Sequence, residues 1–212
     1  MTAPVLVIDT AGPWCACALE MDGIVLVRAQ DIGRGHAEVL APWVSALLDE
    51  AGCRPRDLQR IGVNVGPGGF AGVRVGVAFA RGLSLACGAQ AVGIGALDAW
   101  ALHADPDRIA EVLSVHDARR GELIWRWFRR GAPSGDLERG DVDAARAALA
   151  AVPGARLAGS GAGLLGGPDF DPEPPLSALL TLTRAAPDDT PSPAPVYARA
   201  PDAKLAGGVD PA

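Results

Sequence analysis

Apolar residues follow two rhythms along this chain. Short apolar-rich runs at Val5–Thr10, Cys15–Glu20 and Ile24–Gln30 predict three strands, and Met21-Asp22-Gly23 predicts a hairpin turn between the second and third. The rhythm then lengthens. Val39, Leu40, Trp43, Val44, Leu47 and Leu48 form one stripe of an amphipathic helix over 37–51, closed by Gly52. Pro42 falls inside that stripe and is expected to kink the first turn or mark the start of the regular helix. Ile61–Val65 predicts a fourth strand, Val73–Cys87 a second long helix, Ala91–Gly95 a fifth strand and Ala96–Ala104 a short helix. A weaker copy follows. Glu111–His116 and Glu122–Arg130 read as a hairpin around Arg119-Arg120-Gly121, then come a helix at Val142–Ala151, a short strand at Arg156–Ala158 and a helix at Leu176–Arg184. The proline-rich stretch Pro168–Pro175 replaces regular structure. After Ala185 the chain is expected to be mostly irregular, with one docked patch at Val196-Tyr197.

The densest glycine run lies between the fourth strand and the second helix: Gly66-Pro67-Gly68-Gly69-Phe70-Ala71-Gly72-Val73-Arg74-Val75-Gly76. Glycine there allows positive φ and close backbone approach. A helix start offers free N–H groups to an anion or a partner. Gly66, Gly68 and Ala71 also fit the spacing of a dinucleotide fingerprint. Against that, Pro67 removes an N–H, no acidic residue ends the next strand, and the Walker lysine is absent.

Bulk properties narrow the classes. The chain has 212 residues, room for one large domain or two small lobes. Its net charge of −6 speaks against autonomous binding to nucleic acid, which wants a basic face. No basic start precedes an apolar core and no run of about 18 apolar residues is evident, so neither a signal peptide nor a membrane span is expected. Cys15, Cys17, Cys53 and Cys87 lack zinc spacing. Cys15 and Cys17 share one side of a strand, as core thiols do, which suits a reducing cytoplasm.

The glycine run resembles the Gly-Pro-Gly-Ser-Phe-Thr-Gly-Leu-Arg-Ile-Gly signature of the TsaB (YeaZ) family, the non-catalytic partners in the bacterial machinery that makes threonylcarbamoyl-adenosine on tRNA. Val7-Ile8-Asp9-Thr10 is similar to the family's opening strand. Gly35-His36-Ala37-Glu38 with Leu40-Ala41-Pro42 is similar to the start of its first helix. Residues 115–122 resemble its Asp-Ala-Arg-Arg hairpin, and Pro195-Val196-Tyr197-Ala198-Arg199 its C-terminal Pro-Val-Tyr-Leu-Arg. These matches run in family order from residue 5 to residue 199. Gly69 and Ala71 stand where the family has Ser and Thr, which removes two hydroxyls. Together with the element order, the resemblance implies an α/β, two-lobed actin/sugar-kinase/Hsp70-like fold built from two ribonuclease-H-like lobes. Residues 1–105 would form the first lobe, 106–190 a reduced second lobe, and 191–212 a mostly irregular tail.

Nucleotide hydrolysis in that superfamily needs two phosphate loops and a metal-linked carboxylate. Asp9 and Thr10 sit where the first loop belongs. Asp9 either holds a hydrated magnesium ion or caps the adjacent turn, and Pro13-Trp14 in place of small residues favours the turn. Asp117 is the matching position of the second lobe, but Ala118-Arg119-Arg120 follows it instead of glycines. Gly159 and Gly161 belong to a segment that resembles the adenosine loop or makes a tight strand-to-helix turn. The resemblance implies no catalytic residue, no metal and no required cofactor in this chain. At most it implies weak adenine-nucleotide binding through the relics Asp9, Thr10, Gly66, Pro67, Gly68, Asp117, Gly159 and Gly161. His36 has Leu40, not histidine, four residues on, so the partner enzyme's metal-binding pair is missing; His36 is expected to cap the first helix or order the nearby loop. Ser84 and Ser114 read as structural.

Gly72, Gly76, Ala80 and Ser84 recur every four residues. Such a strip lets another backbone approach, either a partner's or that of this chain's own sheet. The family pairs the corresponding helices with its catalytic partner. The resemblance therefore implies a partner surface at Val39, Leu40, Trp43, Leu47, Gly72, Arg74, Gly76, Ala80 and Ser84. The implied function is a cytoplasmic adaptor that binds and activates a TsaD-type threonylcarbamoyl transferase. A TsaE-type ATPase would join the larger complex, tRNA would be reached only through it, and the chain alone would form a homodimer. The alternative is a small kinase or ATPase with its own nucleotide site.

Overall fold

The computed structural model describes residues 3–167 and 173–197. Strand β1 (Val5–Asp9) is flanked on one side by the antiparallel meander β2 (Trp14–Met21) and β3 (Ile24–Asp31), and on the other by the parallel strands β4 (Arg60–Asn64) and β5 (Gln90–Ile94). The order is β3-β2-β1-β4-β5. Helices α1 (His36–Ala51) and α2 (Phe70–Cys87) cover one face, and α3 (Ala96–Ala104) follows β5. A second sheet contains β6 (Glu111–Asp117), β7 (Glu122–Arg129) and β8 (Ala132–Asp141), then helix α4 (Val142–Ala150) and strand β9 (Arg156–Ala158). Its order, β8-β7-β6-β9, repeats the first four places of the first sheet. The chain therefore has the expected two-lobed arrangement, with the second lobe one strand short. Helix α5 (Leu176–Ala185) ends the regular structure.

Strand β1 is apolar at consecutive positions because both of its faces are covered. Leu6 and Ile8 join Cys15, Cys17 and Leu19 under α1 and α2, while Val5 and Val7 join Ala16, Ala18 and Leu179 under α5. Burial pushes the Cys17 thiol up to about 12, as for an inert core thiol.

Four expectations are corrected. Helix α1 begins at His36, so Pro42 does not mark its start; both Pro42 and Glu38, whose carbonyl loses its partner, lie on the solvent side, where water can serve it. Strand β8 was not expected, because it is a largely exposed, polar edge strand without an apolar alternation. Helix α5 belongs with the first sheet rather than the second lobe, packing on β1 and β4. Arg60 at the start of β4 fixes it there by donating to the carbonyls of Thr183, Arg184 and Ala186 at its C-terminal end. Finally, α2 is 18 residues long with a mean hydropathy of 1.4, so one segment is long and apolar enough to span a membrane. Its buried residues Val73, Gly76, Val77 and Ala80 face the sheet, and Arg74 and Arg81 lie on the exposed side. It is a sheet-packed helix whose outer side mixes small and apolar residues with these two arginines.

Candidate functional site

Two turns meet at the carboxyl ends of β1 and β4. Asp9 ends β1 fully buried. Its Oδ1 accepts from the Ala11 N–H at 2.9 Å, and its Oδ2 accepts from Asn64 Nδ2 at 2.8 Å. Asn64 Oδ1 in turn accepts from the Gly66 N–H at 2.9 Å. Burial raises the Asp9 carboxyl above its usual range, opposed by the bonds from Asn64 and Ala11. Each carboxylate oxygen thus has a partner within the chain, and the Ala11 bond is that of a turn cap. Among the described residues no group of three or more His, Cys, Asp or Glu side chains is placed to hold a metal ion.

The glycines answer to this first turn. Gly66 has φ +97°. A Cβ on Gly68 would strike Ala11, one on Gly72 the Thr10 carbonyl, and one on Gly76 the Thr10 hydroxyl. The Gly69 N–H donates to the Ala11 carbonyl at 2.6 Å, and the buried Thr10 hydroxyl donates to the Gly72 carbonyl at 2.8 Å. Residues 10 and 11 thus fill the space beside Gly68 and Gly72 at the start of α2. Pro67 completes the turn, buried with its neighbour Gly66, while Gly68 is half-buried. His36 opens α1 with Nε2 3.2 Å from the Trp14 carbonyl oxygen, ordering that loop as expected.

The second lobe repeats the pattern. Asp117 ends β6 as Asp9 ends β1, and its Oδ1 accepts from the N–H two residues on, that of Arg119, at 2.8 Å. Its Oδ2 pairs with the Arg119 guanidinium at 3.1 Å. Gly159, at φ +87°, packs against the Val115 carbonyl and Gly161 against the Val115 side chain; the Gly161 N–H donates to Val115 O at 2.9 Å. These are the contacts of a tight turn. Ser160 between them accepts from the Asp117 N–H at 3.0 Å and lies 3.1 Å from His116 Nδ1, a pairing that residues 44 apart gave no signal for.

The expected partner surface divides. Leu40, Leu47, Gly76 and Ala80 are core residues, and Gly72 lies against Thr10. The small-residue strip therefore packs on this chain's own sheet, correcting its assignment to a partner. Ser84 is half-buried and donates to the Ala89 carbonyl at 2.7 Å. Val39 and Trp43 are half-buried on the margin of the core, and Arg74 is exposed. The outward stripe of α2 lies one or two positions from the predicted strip: Ala71, Val75, Ala78, Gly82 and Leu85. Val75 is half-buried and the others are exposed, Leu85 to 89%. Their spacing of four, three, four and three is that of a helix–helix seam, a signal available in the sequence once the inner face is assigned.

A family model described as "TsaD: tRNA N6-adenosine threonylcarbamoyltransferase" matches residues 25–162. The chain is 34% identical over 127 residues to the tRNA threonylcarbamoyladenosine biosynthesis protein TsaB of Escherichia coli, an alignment covering 59% of this chain and 55% of that protein. It is 35% identical over 209 residues to an uncharacterized protein of Mycobacterium tuberculosis, covering 94% of this chain and 93% of that one. The structure of YeaZ from Pseudomonas aeruginosa superposes with a TM-score of 0.71 at 28% identity, covering 87% of this chain and 93% of that one.

Proposed function

The chain belongs to the TsaB (YeaZ) family of Gcp-like proteins, and on that footing we propose that it takes part in threonylcarbamoyl-adenosine formation on tRNA as a subunit that binds and activates a TsaD-type transferase. The observation that carries this reading is the outer face of α1 and α2. Ala71, Ala78 and Gly82 are small and solvent-facing, so a partner helix can approach closely. Val39, Trp43, Val75, Phe79 and Leu83 are half-buried beside them and supply apolar area. Apolar area exposed or half-exposed in this way, with Leu85 89% exposed, supports an interaction site.

The filled turns favour a non-catalytic role over the kinase or ATPase alternative. Chemistry, metal and tRNA contact would then belong to the transferase, and a TsaE-type ATPase would join the larger assembly. In the absence of the transferase the same face would pair with a second copy.

Size-exclusion chromatography of the chain with and without the purified transferase tests the reading. A mixed complex is expected, together with tRNA modification that neither protein supports alone when threonylcarbamoyl-adenylate is supplied. Two proteins that elute separately, with modification by the transferase unaffected by this chain, would refute it.

A further inference from the structure

The segment after α5 is anchored at both ends of the first sheet. At the start of the strands, Arg60 pairs with Asp188 at 2.6 Å, and Gln90 Nε2 donates to the carbonyls of Pro187 and Asp188 at 3.2 and 2.8 Å. At the other end, the Val196 N–H donates to the Val65 carbonyl at 2.7 Å, and the Val196 carbonyl lies where Gly66 lacks a side chain. Between the anchors runs Pro191-Ser192-Pro193-Ala194-Pro195. Alternate prolines pre-set an extended backbone and lower the entropy lost on docking. Pro193 is buried over Gly93 of β5, beside Val65.

The segment delivers Tyr197 to the first turn of α2. Its hydroxyl oxygen accepts from Arg74 Nε at 2.7 Å, and its ring stands 4.8 Å from that of Phe70, tilted by 40°. The Arg74 guanidinium lies 3.7 Å from the Phe70 ring centroid and 5.4 Å from that of Tyr197, within cation–π reach of both. Phe70 and Arg74 flank Ala71, where the outward seam begins. The contact is small and its partners Phe70 and Arg74 are exposed, so it opens more readily than the core.

We propose that residues 187–197 are a latch on the α1/α2 face: docking of Tyr197 holds Phe70 and Arg74 against the glycine turn and makes the seam competent for its partner, and undocking withdraws that competence. This rests on the partner-binding reading above.

Tyr197 is the only tyrosine, so ring-labelled tyrosine gives a single NMR signal from the full chain. The signal is expected away from its position in urea, and Phe70→Ala or Arg74→Ala should move it toward that position. Tyr197→Ala should weaken binding to the TsaD-type transferase at least tenfold with helical circular dichroism unchanged. Tyr197→Phe, which keeps the ring and loses the hydroxyl, should fall between it and the wild type and serves if the alanine variant misfolds. A native signal at the urea position overturns the latch. So does a transferase that binds wild type and both variants equally, which leaves the adaptor reading standing. Failure of the wild-type chain to bind at all overturns both.

Discussion

Thr10 and Gly72 occupy one another's space: the Thr10 hydroxyl donates to the Gly72 carbonyl at 2.8 Å, and the Thr10 carbonyl lies where a side chain on Gly72 would stand. The clash is with backbone, which cannot rotate away. Gly72→Ala should therefore cost about 1–3 kcal/mol, in the range of overpacked cores. Thr10→Val keeps the shape, strands the carbonyl and should cost about 1–3 kcal/mol. Urea denaturation measures both, and an unchanged midpoint for Gly72→Ala would exclude the packing described.

Two titrations, of buried Asp9 and half-buried His116, should pull stability in opposite directions. Burial holds Asp9 above the ordinary 3.8, so its contribution is full below pH 3.8 and is lost as pH rises through the raised folded value. Wild type should lose stability relative to Asp9→Asn over that rise. Desolvation holds His116 below the ordinary 6.5. Its contribution is full above pH 6.5 and is lost as pH falls through the lowered folded value. His116→Gln should flatten that fall. Melting curves from pH 3 to 8 separate the two, and parallel profiles for wild type and both variants would contradict these environments.

Most elements were legible because their periodicity is local. The run from Val5 to Ile8 and the stripe of α1 announce themselves within a turn or two. What was not legible depends on distant neighbours. Strand β8 is held by pairing with β7 and not by an apolar face of its own. Helix α5 reads the same wherever it docks, and Arg60, 123 residues before Thr183, decides its place. At the site, the small residues at four-residue intervals were visible, but an inward strip and an outward strip on one helix differ by only one or two positions. Only the sheet under Gly76 and Ala80 tells them apart.

Gly62 and Thr183 offer a test of how α5 is seated. A Cβ on Gly62 would overlap the Thr183 hydroxyl and lie 3.0 Å from its Cβ. Gly62→Ala alone should destabilise by about 1–3 kcal/mol. Adding Thr183→Ala removes the hydroxyl and methyl and should recover part of the loss, giving a coupling of at least about 0.5 kcal/mol in a double-mutant cycle. Additive effects would mean that the two residues do not meet.

The two faces of α2 should respond oppositely to the same side chain. Ala80 is fully buried against the sheet. Ala80→Arg must desolvate a charge or break the packing, and is expected to unfold or aggregate the chain. Gly82, two residues on, is exposed, with nothing within 4 Å of the Cβ it lacks. Gly82→Arg should leave the fold intact and gain about 1 kcal/mol in helix propensity. It would also place a bulky cation in the seam, separating the two helices and weakening the transferase complex by about a hundredfold or more. Thermal melts and titration calorimetry read the two effects independently. A stable Ala80→Arg variant would show that the inner face is misplaced. A stable Gly82→Arg variant that binds as wild type would remove the α2 seam from the partner surface.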